Sequence, residues 1–403
     1  MVSIDLEMAK SLPVWRRPVT LLLLMAVAMP IAFATWSALL NNFVIERVGF
    51  TGVEIGWLHT VREIPGFLAV GVIAVIIFMR EQVLAVVSLL MLGVATAVTA
   101  WFPSLGGLLM VTVISSIGFH YYETVNQSLQ LQWLPKDRAP QVLGWLVAVG
   151  SAASLMSYGA VVATWDLLDL TYNTVYMISG GVCAAIAAYC WFAFPRFEGN
   201  PQERRMVLRR RYWLYYALQF MSGSRRQVFL VFAAFMMVER FGLKVHEVTA
   251  LFLVNYVANM LAAPLMGRAL TLWGERNVLI FEYLGLTGVF MAYAGIYFFD
   301  WGIVLAATLY VLDHLFFALA FAQKTYFQKI ADPGDIAPTA AVAFTINHVA
   351  AVFLPALLGY LWIVSPGMVF VLAAAMALVS LFLSFLIPRH PVKGFETAIS
   401  AFR

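Results

Sequence analysis

Arg225 and Arg226 are neighbours in an otherwise apolar stretch, fourteen residues beyond Arg211 and fourteen before Arg240. On a helix that spacing puts them about 21 Å from either flanking charge. Paired guanidiniums offer forked donors that match the oxygens of a carboxylate or a phosphate. Gln219, Ser222 and Arg226 follow at i, i+3 and i+7, so at least one of the arginines shares a polar stripe suited to an interior face. Other ionisable groups sit in similar surroundings. His120, Glu123, Gln127 and Gln130 share one helical face beside Tyr121 and Tyr122, and Tyr310, Asp313, His314, Phe317 and Lys324 form a comparable set later in the chain. His59, Arg62 and Glu63 make a third cluster, Asn255 and Asn259 a fourth, and Asn347 and His348 a fifth, with Asn41 and the row Ser151, Ser154 and Tyr158 as weaker cases.

The elements that hold these groups follow from composition. Of 403 residues, 63% are hydrophobic and 11% charged, and the mean hydropathy is +0.87. A soluble domain carries about 25% charged residues, so the chain reads as an integral membrane protein. Residues 82–122, 139–165, 170–195 and 336–388 contain no Asp, Glu, Lys or Arg. An apolar run of about 20 residues is enough to cross the hydrocarbon as a helix. A β-barrel would instead alternate in roughly ten-residue segments. The apolar blocks predict twelve spans, at 18–45, 53–77, 82–101, 106–132, 139–164, 171–194, 212–239, 247–271, 278–299, 303–329, 338–364 and 367–387.

With a cytoplasmic N-terminus, the termini and even-numbered loops hold 16 Lys and Arg, the odd-numbered loops hold 3 (Arg47, Arg240 and Lys244), and 6 fall within spans. This asymmetry places both termini in the cytoplasm. The first span is too long for the apolar region of a signal peptide and is expected to be retained. Cys183 and Cys190 are seven residues apart on one helix, too far to bridge without distortion, so redox chemistry is not indicated. The basic run 204–211 suits a topological role or anionic lipid headgroups rather than nucleic acid.

The stretch "IERVGFTGVEIGWL" from Ile45 returns as "VERFGLKVHEVTAL" from Val238, an offset of 193 residues. In the first copy Gly49 suits a left-handed helix end, and Thr51 with Glu54 makes a capping box. A second echo links 126–140 with 322–338, where Gln127 and Gln132 correspond to Gln323 and Gln328 at an offset of 196. The chain therefore divides into six-helix halves at 1–194 and 212–403, joined by a cytoplasmic linker at 195–211. Six spans per half preserve orientation, which makes the repeats parallel.

On these features the sequence resembles the major facilitator superfamily across nearly its whole length. Gly267, Gly274 and Glu275-Arg276-Asn277 are similar to the family's loop signature between spans 8 and 9, with Thr271 and Leu272 where that signature has Asp and a basic residue. Spans 4 and 5 lack the family's usual Arg and its Gly-Pro pattern, and no subfamily is identified. The resemblance implies an all-α membrane protein with spans 3, 6, 9 and 12 at the periphery. Those four spans carry no ionisable side chain near the bilayer centre apart from the cysteines of span 6, whereas spans 2, 4, 7 and 10 carry the deep charges.

A charge at mid-bilayer costs about 2.5–3.5 kcal/mol on insertion scales, so each needs a partner, water or a function. The functional reading assigns a substrate-binding set of Arg225, Arg226, Arg62, Tyr121, Tyr122, Asn255, Asn259 and Asn347. Glu123, Asp313, Glu63, His120 and His314 form the proton-handling set. The plainer reading pairs Arg62, Arg225 and Arg226 with Glu63, Glu123 and Asp313 to close helix interfaces, and gives the Asn and Ser side chains to interhelical hydrogen bonds.

His120, Glu123, Asp313, His314 and His348 could ligate a metal, but three arginines in the same layer would repel a bare cation. No metal or cofactor is expected. His246-Glu247 lacks the second histidine of a zinc-protease motif, and Ala250 stands in its place. The chain has no phosphate-binding G-x-x-x-x-G-K-[ST] loop, so ATP is not the direct energy source, and no catalytic motif points to an enzyme. The expected function is secondary transport of a small organic anion by alternating access, with proton coupling. Expected partners are that solute, protons and membrane lipids, not nucleic acid, and the protein is expected to act as a monomer in the cell (inner) membrane. The alternatives are a metal or cation transporter of the same fold, or a transport-dead sensor or assembly factor.

Overall fold

The computed structural model describes residues 3–68, 71–134, 139–197, 208–332 and 335–399. Positions 135–138 and 333–334 of the second echo, 198–207 of the linker and both chain ends lie outside the described residues.

Helices occupy each of the twelve expected ranges. The first four are α1 (Pro18–Phe43), α2 (Gly52–Phe67 and Gly71–Phe78), α3 (Glu81–Val98) and α4 (Leu105–Trp133). Next come α5 (Ala139–Thr164), α6 (Tyr172–Ala193) and α7, which runs from Trp213–Gln227 through a π-turn at Val228–Ala233 into Ala234–Glu239. A long helix at Val245–Phe298 is divided by Gly274 at φ 73° into α8 (245–273) and α9 (275–298). α10 comprises Ile303–Ala318 and Phe321–Ile330, and α11 (Ile336–Val364) and α12 (Pro366–Phe385) complete the set.

The helix ends are written locally. Pro18 and Pro366 open α1 and α12, where a missing N–H costs nothing. Ser104 and Thr171 cap α4 and α6 by accepting from Gly107 N and Thr174 N, each at 3.2 Å.

Ten helical stretches among the described residues are long and apolar enough to cross a membrane. The ranges of α2 and α7 are not among them. α7 is divided by its π-turn, α2 is described on either side of positions 69–70, and each carries adjacent charged residues, Arg62–Glu63 and Arg225–Arg226.

Contacts divide the chain into two compact units: Met1–Gly49, Val61–Glu203 and Lys244–Ala250, and Phe50–Thr60, Arg204–Leu243 and Leu251–Arg403. In the first unit, Leu84, Leu89, Leu92, Val125, Cys183 and Cys190 are core residues. Both cysteines are free thiols there. The α3–α6 seam is close because Gly93 and Gly180 present bare backbone to each other. In the second unit α7 packs on α11 and α12, and Gly223 lies directly against the backbone of Asn347.

The two copies of the Glu-Arg-x-Gly turn have the same local chemistry. Gly49 and Gly242 sit at φ 75° and 66°. Glu54 accepts from Thr51 N at 2.8 Å, and Glu247 accepts from Lys244 N at 2.7 Å. The second echo is also structural. The first residue of α3, Glu81, accepts from Ser128 and Gln132 near the end of α4, and the first residue of α9, Glu275, lies 2.7 Å from Lys329 near the end of α10.

Candidate functional site

In the first unit Arg62 is the centre of a small polar niche. Its guanidinium pairs with the neighbouring Glu63 and lies 5.8 Å from the centroid of the Trp36 ring, and its carbonyl accepts from Ser116 of α4. Arg62 lines a cavity of about 20 Å³, room for one water, together with Phe33, Trp36, Leu92, Thr112, Ser115, Ser116 and Phe119. Among the described residues its Nε has no hydrogen-bond partner. Phe33 and Phe119 stack at 4.8 Å, and His120 meets Phe119 edge-on at 5.1 Å.

Glu63 and His120 are buried, Tyr121, Glu123 and Gln130 are part-buried, and Gln127 is exposed. Tyr122 is 1% exposed in the core of this unit. A larger cavity of about 490 Å³ lies among α1, α5 and α6, and none of its described lining residues is ionisable.

In the second unit Arg225 is enclosed. Its Nη1 donates to Ser380 of α12, its Nη2 lies 3.6 Å from Glu282 Oε1 of α9, and its guanidinium covers the Tyr283 ring at 4.5 Å. A polar chain fixes that ring: Gln219 donates to Gln323 at 3.0 Å, Gln323 donates to the Tyr283 hydroxyl at 3.0 Å, and Asn347 donates to the Gln219 carbonyl at 3.2 Å. Residues from α7, α9, α10, α11 and α12 thus converge on one arginine. Asp313 is 0% exposed, and among the described residues neither of its oxygens is hydrogen-bonded.

Arg226, one residue further along α7, is only part-buried. Asn259 bonds within α8 to the carbonyl of Asn255, whose own side-chain oxygen is buried and unpartnered. His314 packs its ring 5.4 Å from Phe229, and His348 turns Nδ1 to the Phe344 carbonyl at 2.9 Å. His59 is buried in this unit.

Glu282, Tyr283 and Ser380 escape the sequence reading. Glu282 stands about one turn inside the expected span 278–299, which was assigned to the periphery, too near the helix end to count as a deep charge. The one available signal is that an apolar stretch admits a single Glu at that position. Its importance comes from tertiary packing, because the long Arg225 side chain carries its charge away from its own backbone level.

A separate ionic cluster closes the end of the second unit outside the spans. Asp335 lies 3.1 Å from Arg209 and 3.2 Å from Arg211, and accepts from the Tyr212 hydroxyl at 3.0 Å. Asp332 pairs with Arg211 and Lys393. Hydrogen bonds from Lys393 and Arg211 hold the Asp332 carboxyl below the usual carboxylate range, and bonds from Arg209 and Tyr212 do the same for Asp335.

No curated protein matches the chain. Among solved structures, the fold is similar to a mutant of the nucleoside transporter NupG (TM-score 0.73, 12% identity, covering 91% of this chain and 99% of that one). It is also similar to a bacterial homologue of the iron transporter ferroportin (0.67, 12%, 93% and 98%) and to a bacterial homologue of the human lysosomal transporter Spinster (0.64, 13%, 91% and 95%). At these identities the likeness speaks for the fold alone. The family model for the Major Facilitator Superfamily matches residues 20–333, most of the chain and both copies of the Glu-Arg-x-Gly turn. The chain is therefore a member of the major facilitator superfamily, a multi-pass membrane transporter of small-molecule solutes and not an enzyme.

Proposed function

We propose that the chain moves a small organic anion across the cell (inner) membrane by alternating access, with proton coupling, as a monomer whose termini are cytoplasmic. The observation that carries the anion reading is the inequality of two adjacent arginines. Arg225 is spent on buried partners, whereas Arg226 stays part-exposed on the same helix. A second guanidinium at that depth, part-buried beside the enclosed one, suits the oxygens of an oxyanion. Arg62 supports the same reading in the first unit, where it lines a niche with the hydroxyls of Thr112, Ser115 and Ser116. The orientation rests on the charge asymmetry of the loops.

The test is flux into proteoliposomes, with mono- and dicarboxylates, inorganic phosphate, a neutral nucleoside and a divalent metal as separate arms. Transport of one anion class is expected, with Arg226→Gln and Arg62→Gln each weakening its apparent affinity by about tenfold or more while the protein stays monodisperse. Carriage of the nucleoside or the metal alone would overturn the anion assignment.

A further inference from the structure

The cavity of about 490 Å³ in the first unit is within the size range of small-molecule sites, and its walls are the facing sides of α1, α5 and α6. α1 presents Val27, Ile31 and Thr35, one stripe at i, i+4 and i+8. On α5 the small side chains of Ala152, Ala153, Ser157 and Ala160 leave the space open. Both α5 and α6 pack on α1, which forms the floor between them.

The two ends of the cavity differ. One is closed where Gly150 brings α5 onto α1, since a Cβ added there would lie 3.3 Å from the Ala26 carbonyl oxygen. The other reaches Thr164 and Leu170, beside Trp165 and Tyr172, whose rings lie 5.2 Å apart. Tyrosine and tryptophan at the end of a span mark the headgroup level of a bilayer. The lining from Val149 to Thr164 covers about 20 Å of α5 by helical rise, so the cavity runs from that level through more than half of a hydrocarbon layer about 30 Å thick. Along its open side Met156 and Ile178 are 74% and 57% exposed.

The chemistry of the walls decides what fits. Four hydroxyls line the cavity, and three of them turn back on their own helices. Ser157 donates to the Ala153 carbonyl at 2.9 Å, Thr164 to that of Ala160 at 2.6 Å and Ser179 to that of Tyr176 at 3.3 Å. A charged or strongly polar solute would lose its hydration here and find no charge to replace it. Shape excludes a further helix: spread over that length, 490 Å³ is a mean section of about 25 Å², much less than a helix about 10 Å across needs. An alkyl chain is apolar, narrow and long enough to follow the groove. Left empty, the walls would forfeit their dispersion contacts.

We propose that the groove between α5 and α6 binds one acyl chain of a membrane phospholipid, with the headgroup at the end marked by Trp165 and Tyr172, and that this chain fills the space that direct packing of α5 on α6 would otherwise close. The site depends on the membrane setting of the chain and not on which solute is carried.

The test is photolabelling of the full chain reconstituted in dioleoyl phosphatidylcholine with a trace of a phosphatidylcholine that carries a diazirine in one acyl chain. Thr35, Val161 and Val175 are 3%, 5% and 8% exposed and line the groove, so lipid reaches them only from within it. Adducts on these three residues are expected in the parent. Ala160→Phe should lower them about tenfold, because the added ring takes the volume that the chain would fill. Ala163→Phe, at an exposed position of α5 outside the lining, should leave them unchanged. Ala152→Phe repeats the block at a second point, so misfolding of one variant cannot stand in for loss of the site. No adduct on the three residues in the parent, or equal labelling in Ala160→Phe, Ala152→Phe and Ala163→Phe, overturns the proposal. Labelling abolished by a carboxylate, phosphate or nucleoside at millimolar concentration would assign the groove to a solute instead, and protein-to-protein cross-links in place of lipid adducts would assign it to a second copy of the chain.

Discussion

Arg225 and Glu282 face each other across the α7–α9 seam with Nη2 and Oε1 3.6 Å apart, and both side chains are wholly enclosed. Removing one partner of a buried pair strands the other, which costs about 3–5 kcal/mol, whereas removing both costs less. Arg225→Met and Glu282→Gln should therefore each lower the thermal midpoint in detergent. The double variant should recover more than half of the loss. A double variant without that recovery would show that the pair is not the main compensation for the buried arginine.

The cluster at the base of the second unit gives a pH dependence of definite sign. Asp332 and Asp335 have depressed values in the folded chain, so their contribution to stability is present above the ordinary carboxylate value of about 3.9 and is lost as pH falls through the lower folded values. Melting curves of the parent and Asp335→Asn should differ at neutral pH and converge below about pH 4. A constant gap down to the acid limit would remove Asp335 from this linkage.

Gly223 lies where an added Cβ would strike the carbonyl of Asn347, while Gly288 of α9 has nothing within 4 Å of that position. Gly223→Ala should destabilise by about 1–3 kcal/mol through overpacking of the α7–α11 seam. Gly288→Ala should be neutral or mildly stabilising, because alanine lowers the backbone entropy lost on forming a helix. Matching midpoints for the two variants would mean that the seam yields.

The repeated turn makes a paired test. Gly49→Ala and Gly242→Ala each force a side chain into the left-handed region at a cost of about 1–2 kcal/mol. Both should lower the midpoint by similar amounts, since the two turns share one capping geometry. A loss at only one of the two glycines would argue that the corresponding turns carry different loads.

The orientation can be read with a membrane-impermeant maleimide, since Cys183 and Cys190 are both buried. Leu168→Cys, at an exposed position between α5 and α6, should react on intact cells, and Arg389→Cys, beyond α12, should react only after permeabilisation. The reverse pattern would invert the topology.

Composition and the length of the charge-free runs were enough to make this an all-helical membrane protein, because hydrocarbon leaves no other way to satisfy the backbone of a single long apolar run. The internal offset near 193 residues was equally legible, since a left-handed glycine followed by a capping glutamate is local chemistry and needs no partner from elsewhere. Helical spacing also separated Arg226, on the Gln219 and Ser222 stripe, from Arg225 beside it. Packing decided what lay beyond the reach of a single helix. Spacing along α7 says nothing of which acid a guanidinium meets, and the partner is Glu282 of α9, not one of the acids that depth alone had picked out. The same holds for Tyr122, whose face reads as cavity-lining but which packs into the core of the first unit. A side chain's direction around its own helix is fixed by the backbone period, but the neighbour it meets depends on how separate helices pack, and that is a property of the whole bundle.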